Sequence, residues 1–271
     1  MTDSSIHDRY LEVAGARLRY RDEGRGPAIV FVHGWTLDLD MWDPQAAALS
    51  DSHRIVRFDR RGFGLSSGQP SLAHDIADLD ELCGRLSLGE IALVGMSQGA
   101  RAALGFAAAA PAHVRALVLD GPPDLHPEAG AGDVPVEEYR ALVRTHGIDA
   151  FRRAWAMHPL MQPRTRDERA HDLLRSMIAR YRALDLIEGA AGAAAISAWA
   201  FVESLSAPVL VITGEHDAAS RVRAADALAA RMPHAGRAVI PDAGHLANLD
   251  NPATYNRVIR EFVDRHLAPP H

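Results

Sequence analysis

Residues 93–104 read LVGMSQGARAAL, an apolar run that stops at Gly95, passes the single hydroxyl of Ser97, meets Gly99 and continues into alanines. The residues IALVG (91–95) have the length and apolarity of a buried strand, and those from Gln98 to Ala109 have the small-residue composition of a tightly packed helix. A serine hydroxyl is a poor nucleophile at neutral pH and needs an adjacent base that can reach it. A sharp strand-to-helix turn supplies that exposure. The flanking glycines permit the turn, because a Cβ at either position would collide with neighbouring chain, and the helix N-terminus favours negative charge nearby. Taken alone, G-x-S-x-G is a weak signal; its place between a strand and a helix gives it meaning.

Outward from this turn the alternation repeats. YLEV and ARLRYRD around Ala14-Gly15, then AIVFVHG, read as a hairpin feeding a central strand. A helix is expected near Trp42 to Leu49, a strand at HRIVRFD (53–59) and an amphipathic helix over Ile76 to Leu86. VRALVLDG (114–121), APVLVITG (207–214) and GRAVIPDAG (236–244) are further strands, and the last helix opens with Asn251 as N-cap and Pro252 at the first helical position. Strands alternating with helices imply right-handed crossovers and a mostly parallel sheet with helices on both faces, an α/β fold. Between Gly121 and Leu205 the alternation fails. Helical patterns replace it, such as Leu173, Leu174, Met177, Ile178, Tyr181 and Leu184, after Pro122-Pro123 and a Gly/Ala/Asp-rich loop. The division expected is a core of 1–121 and 205–271 with an insertion of helices at 122–204, whose alanine-rich part (190–198) reads as a packed helix.

Composition narrows the chemistry. The 271 residues are 48% hydrophobic and 24% charged, ordinary for a soluble globular chain with a sizeable core. A net charge of -6 argues against nucleic acid as a partner. All 29 basic residues are arginine, which removes Schiff-base and P-loop lysine chemistry together. Cys83 falls on the apolar face of its helix and reads as a buried small hydrophobe. No signal core and no apolar run long enough to span a bilayer is present, so the expectation is a cytoplasmic chain without a membrane anchor.

Three further features bear on Ser97. His33-Gly34-Trp35 follows the strand AIVFV directly, where a loop amide can help hold the oxyanion of a tetrahedral intermediate; the expected donors are the backbone N–H groups of Trp35 and Gln98. The His33 side chain reads as structural. His245, in PDAGHLAN past the final strand, can act as general base from a loop at the same sheet edge, in preference to His216. Asp217, in TGEHDAAS after APVLVITG, can orient that histidine, giving the chain order Ser97, Asp217, His245. Asp120, at the end of VRALVLD, is the alternative acid. Glu215 and Asp242 read as solvated loop carboxylates.

HGW (33–35), DRRGFGLS (59–66), GMSQG (95–99), GEHD (214–217) and AGH (243–245) together resemble the α/β-hydrolase family, in order and spacing, over nearly the whole chain. The resemblance implies an eight-stranded sheet with its second strand antiparallel, a helical cap over the site, and no cofactor or metal. Serine rather than aspartate at the turn departs from the epoxide hydrolase and haloalkane dehalogenase branches. It favours esterases, lactonases, carbon-carbon hydrolases and cofactor-free haloperoxidase-like members. In DRRGFGLS the glycines make a tight turn, and Asp59 and Arg61 can bond backbone. Pocket walls are expected from Trp42, Met96, Trp155, Met157, Met161, Trp199 and Phe201, with Trp35, which points to a small apolar ester or lactone as substrate. Arg152 or Arg153 could bind a substrate carboxylate, although solvated helix arginines are commoner. A carbon-carbon hydrolase of diketones and a non-catalytic ligand-binding member of the fold are the alternatives. The sequence carries no signal for oligomeric state.

Overall fold

The computed structural model describes residues 7–125, 132–187 and 202–267. Among these, eight strands form one sheet: β1 (Arg9–Val13), β2 (Ala16–Gly24), β3 (Ala28–Val32), β4 (Arg54–Phe58), β5 (Ile91–Met96), β6 (Val114–Asp120), β7 (Val209–Gly214) and β8 (Ala235–Ile240). Their spatial order is β1-β2-β4-β3-β5-β6-β7-β8. β2 runs antiparallel to both β1 and β4, and every other neighbouring pair is parallel. β3, β5 and β7 are buried at every position, as parallel strands covered on both faces must be.

Strand alternation divides the core into two layers. Ile29, Phe31, Ala92 and Val94 face one layer, closed by α1 (Asp43–Leu49), α9 (Ala247–Asp250) and α10 (Pro252–Leu267). Val30, Val32 and Leu93 face the other, closed by α2 (Leu72–Arg85), α3 (Gln98–Ala109) and α8 (Ala219–Arg231). Cys83 lies in this second layer, where burial and the charge of Asp80 push its thiol up to about 12, so it stays protonated and inert. α10 starts as its sequence predicts, with the Asn251 side chain accepting from the Thr254 amide at 3.2 Å. α2 starts four residues earlier than its apolar spacing suggests, because the Ser71 hydroxyl caps it by accepting from the His74 amide at 3.1 Å.

Between β6 and β7 the described residues form α4 (Val136–His146), α5 (Ile148–Ala156), α6 (Glu168–Arg180) and α7 (Leu184–Ile187). Leu184 does not continue the face of α6: the helix ends at Tyr181, whose backbone is extended, and α7 is a separate turn. The alanine-rich stretch and part of the Gly/Ala/Asp loop, 126–131, lie outside the described residues. No helix among the described residues is long and apolar enough to cross a membrane. Trp35, Ser97, Asp120, Asp217 and His245 all follow or end strands at the carboxyl edge of the sheet, where open α/β sheets form their ligand crevices.

Candidate active site

Ser97 sits between β5 and α3 with φ 53° and ψ -116°, a left-handed conformation that a serine adopts only when its surroundings impose it. Such a position costs about 1–3 kcal/mol. The anchor is the Ser97 amide, which donates to the Asp120 carbonyl at 2.7 Å and ties the turn to the end of β6. The flanking glycines are required as the sequence suggests. A Cβ on Gly95 would stand 2.5 Å from the Gly99 carbonyl oxygen, and one on Gly99 would stand 2.4 Å from that of Val32 and 2.5 Å from that of His33. Alanine in place of a helical glycine ordinarily gains about 1 kcal/mol. Here the obstacle is strand backbone that cannot move aside, so Gly99→Ala is expected to lose about 3 kcal/mol, the upper end of overpacking effects. A urea denaturation curve checks it, with an unchanged midpoint against the argument.

Asp217 and His245 meet across the loops that follow β7 and β8. Nδ1 of His245 lies 3.1 Å from each carboxylate oxygen of Asp217, and both side chains are buried. Nδ1 therefore donates, which leaves Nε2 as the acceptor of the neutral ring. Asp217 Oδ1 also accepts from the Ala218 amide at 2.7 Å, which fixes the carboxylate. The imidazole lies over Gly121, at φ +51°, where a Cβ would come within 2.8 Å of its Cε1. Gly121 adjoins the Asp120 carbonyl that holds Ser97. Among the described residues no hydrogen bond joins His245 to Ser97 directly; the hydroxyl instead accepts from Arg221 Nη1 at 3.4 Å.

Asp120, the alternative acid, is placed elsewhere. Its Oδ2 accepts from the Tyr255 hydroxyl at 3.1 Å, and its Oδ1 is buried without a partner among the described residues. Burial and the neighbouring charge of Asp217 raise its carboxyl well above the ordinary range, against the weaker opposing pull of Tyr255. It is held neutral. His216 is exposed and lies 3.8 Å from Glu215.

The backbone amides of Trp35 and Gln98 donate to no protein acceptor among the described residues; Gln98 opens α3, where the first-turn amides have no partner within the helix. His33 is structural, as expected. Its Nδ1 donates to the Gly34 carbonyl at 2.8 Å and its Nε2 accepts from the Arg60 amide at 2.8 Å, so burial and the Arg60 charge keep it neutral. In the DRRGFGLS loop Asp59 accepts from the Leu39 and Leu65 amides, and Arg61 pairs with Asp78. Arg60 does more than the sequence suggests. Paired with Asp75 at 2.7 Å, it also donates to the Gln98 side chain at 2.9 Å and the His33 carbonyl at 3.3 Å, linking the two segments that carry the free amides.

The expected pocket residues separate into groups. Trp155 and Met161 are buried in a layer with Trp35; the Trp35 and Trp155 ring centroids are 4.8 Å apart, and the Trp155 indole donates to Thr36 Oγ1 at 2.6 Å. Trp42 and Met96 belong to the same buried layer, Trp42 packed on Phe31 at 4.8 Å and Met96 within β5, and neither has exposed surface. Met157 is 75% exposed and lines no wall with these rings. It stands about 200° round from Trp155, two residues on at 3.6 per turn, so a helix that turns Trp155 inward turns Met157 out. Trp199 and Phe201 lie outside the described residues. Arg152 binds the Tyr181 carbonyl and Asp149, and Arg153 is exposed. The sequence reading missed Arg221. Its signal was an arginine at the head of the buried stripe Arg221, Ala224, Ala225 and Leu228 of α8, where a hydrophobe is ordinary.

A family profile described as the alpha/beta hydrolase fold matches residues 27–252. The chain belongs to the α/β-hydrolase family. Among curated relatives of this hydrolase, 2-(acetamidomethylene)succinate hydrolase of Mesorhizobium japonicum is 28% identical over 288 aligned positions, covering 94% of this chain and 95% of the other. Among solved structures, a thermophilic esterase from Thermogutta terrifontis superposes with a TM-score of 0.82 at 28% identity, over 96% of this chain and 100% of that one. The enol-lactonase from Burkholderia xenovorans LB400 superposes with a TM-score of 0.78 at 25% identity, over 94% and 99%.

Proposed function

We propose that this α/β-hydrolase cleaves a small apolar ester or lactone through an acyl-enzyme on Ser97. The observation that carries the reading is a buried imidazole fixed by a buried carboxylate, at the sheet edge where a strained serine turns out of β5. His245 Nε2 takes the hydroxyl proton as Oγ bonds to the acyl carbon, then gives it to the departing oxygen. In the second half the same nitrogen takes a proton from water as the water oxygen attacks the acyl carbon. Ser97 Oγ leaves and recovers the proton. Asp217 keeps Nδ1 protonated throughout and faces the positive charge that the ring acquires. The free amides of Trp35 and Gln98 are the donors for the oxyanion. Each of these steps uses side chains and backbone of this chain, and the reading calls on no cofactor or metal.

Support for the substrate class comes from the aromatic layer around Trp35 and Trp155 and from the relatives named as an esterase and an enol-lactonase. The compartment proposed is the cytoplasm and the partner a small molecule. A fluorophosphonate tests the reading. Stoichiometric labelling is expected, with the adduct mapped to Ser97 and lost in Ser97→Ala; folded protein that takes no label at Ser97 would move the assignment to a ligand-binding member of the fold. A panel of nitrophenyl esters, γ- and δ-lactones and aryl diketones then sorts the substrate class, and turnover of diketones alone would replace ester hydrolysis with carbon-carbon cleavage.

A further inference from the structure

Arg221 is buried in the first turn of α8, and its guanidinium is almost fully engaged. Nε and Nη2 each donate to Asp133, to Oδ2 and Oδ1 at 2.8 Å, a two-pronged pair whose planar geometry fixes the guanidinium in orientation as well as position. Asp133 is held in turn by the Ser220 hydroxyl at 2.9 Å. So locked, Arg221 turns Nη1 to the two remaining acceptors, the Gly121 carbonyl at 3.3 Å and Ser97 Oγ at 3.4 Å. The Ser97 oxygen accepts there, so its own hydrogen is left free to be given away.

We infer that Arg221 is a positioning residue for the nucleophile, locked by Asp133 so that its Nη1 holds the Ser97 oxygen and the Gly121 carbonyl in one fixed relation under His245. The charge of the pair is balanced, which suits positioning better than capture of a substrate anion: Asp133 already fills the face that a carboxylate would need. Asp133 lies just ahead of α4, in the helical segment between β6 and β7, whereas Ser97 and Arg221 lie in the sheet domain. Through this pair the placement of the attacking oxygen depends on the seating of that segment.

The inference rests on Ser97 as nucleophile, and the test separates the two. Removing Arg221 alone would strand the Asp133 carboxylate, so the principal variant is Arg221→Met/Asp133→Asn, which removes both charges together. Acylation by a nitrophenyl ester, read as the burst rate, is expected to fall about tenfold, with the Kd of the ester, read from the concentration dependence of the burst, changed less than twofold, since one hydrogen bond that orders the attacking atom is lost. Thermal unfolding shows whether the variant is folded. The single variant Arg221→Met adds a second readout. The titratable groups that act on His245 are Asp217, at 3.1 Å from Nδ1, His158 after α5, and Asp133, whose charge Arg221 balances. With Arg221 gone the Asp133 charge acts unopposed on the imidazole, so the acid limb of the pH–rate profile is expected to move to higher pH in the single variant and to return in the double. A double variant that acylates at the wild-type rate overturns the inference while leaving the nucleophile in place. Wild-type protein unlabelled at Ser97 overturns the nucleophile itself.

Discussion

Ser97→Ala is expected to lower kcat by about 10⁶-fold, and His245→Ala by about as much, as in other hydrolases where the hydroxyl and the base act as one unit. The reason is local. Without Oγ there is no atom to carry the acyl group, and without the imidazole the hydroxyl keeps its proton and remains a weak nucleophile. The double variant is therefore expected to be no worse than either single one. Residual turnover should persist in all three, because the amides of Trp35 and Gln98 are backbone groups that neither substitution removes. Burst and steady-state kinetics with one nitrophenyl ester check the set. Losses that multiply in the double variant would mean that the two side chains act independently, which the proposed proton path does not allow. Fold damage is separable, since alanine at either position removes atoms and introduces none.

What could be read before the structure follows from how locally each feature is encoded. The strands were legible because β3, β5 and β7 are buried on both faces and leave uninterrupted apolar runs, and the turn at Ser97 because its glycines mark backbone crowding within a few residues. The Asp217 and His245 positions were legible because parallel strands deliver their following loops to one edge. Sequence spacing says nothing about pairs made by packing across the chain. The link from Arg221 to Asp133 spans 88 residues, and that from Arg60 to Gln98 spans 38; nothing local marks either one. Met157 departs from the expectation for the opposite reason. Residue type suggested a wall, but whether a large apolar side chain faces a cleft, the core or solvent is decided by the helix or strand face on which it falls.

The second large effect separates the two buried acids. Asp217→Asn is expected to reduce kcat by about 10⁴-fold, because an amide can hold the ring by its nitrogen and so favour the wrong tautomer, and offers no charge to the imidazolium. Asp120→Asn is expected to leave kcat within about threefold, since Asp120 bonds Tyr255 and makes no bond to His245 among the described residues. The reverse result would give the orienting role to Asp120. Stability carries an independent signature. In the folded chain burial and the Asp217 charge raise the Asp120 carboxyl well above 3.8, so the folded state keeps a proton that the unfolded state releases. Wild-type stability contributed by this group is therefore full below the ordinary carboxylate range and is lost as the pH rises towards the folded value, at up to about 1.4 kcal/mol per pH unit. Asparagine has no proton to lose. It can still accept from Tyr255, and the acid it replaces already leaves Oδ1 without a partner among the described residues. The difference in Tm between Asp120→Asn and the wild type should accordingly shift in favour of the variant from pH 4 to pH 8. A difference that stays flat across that range would mean that Asp120 ionises in the folded protein, and the buried partner of Asp217 would then be a second negative charge beside the imidazole.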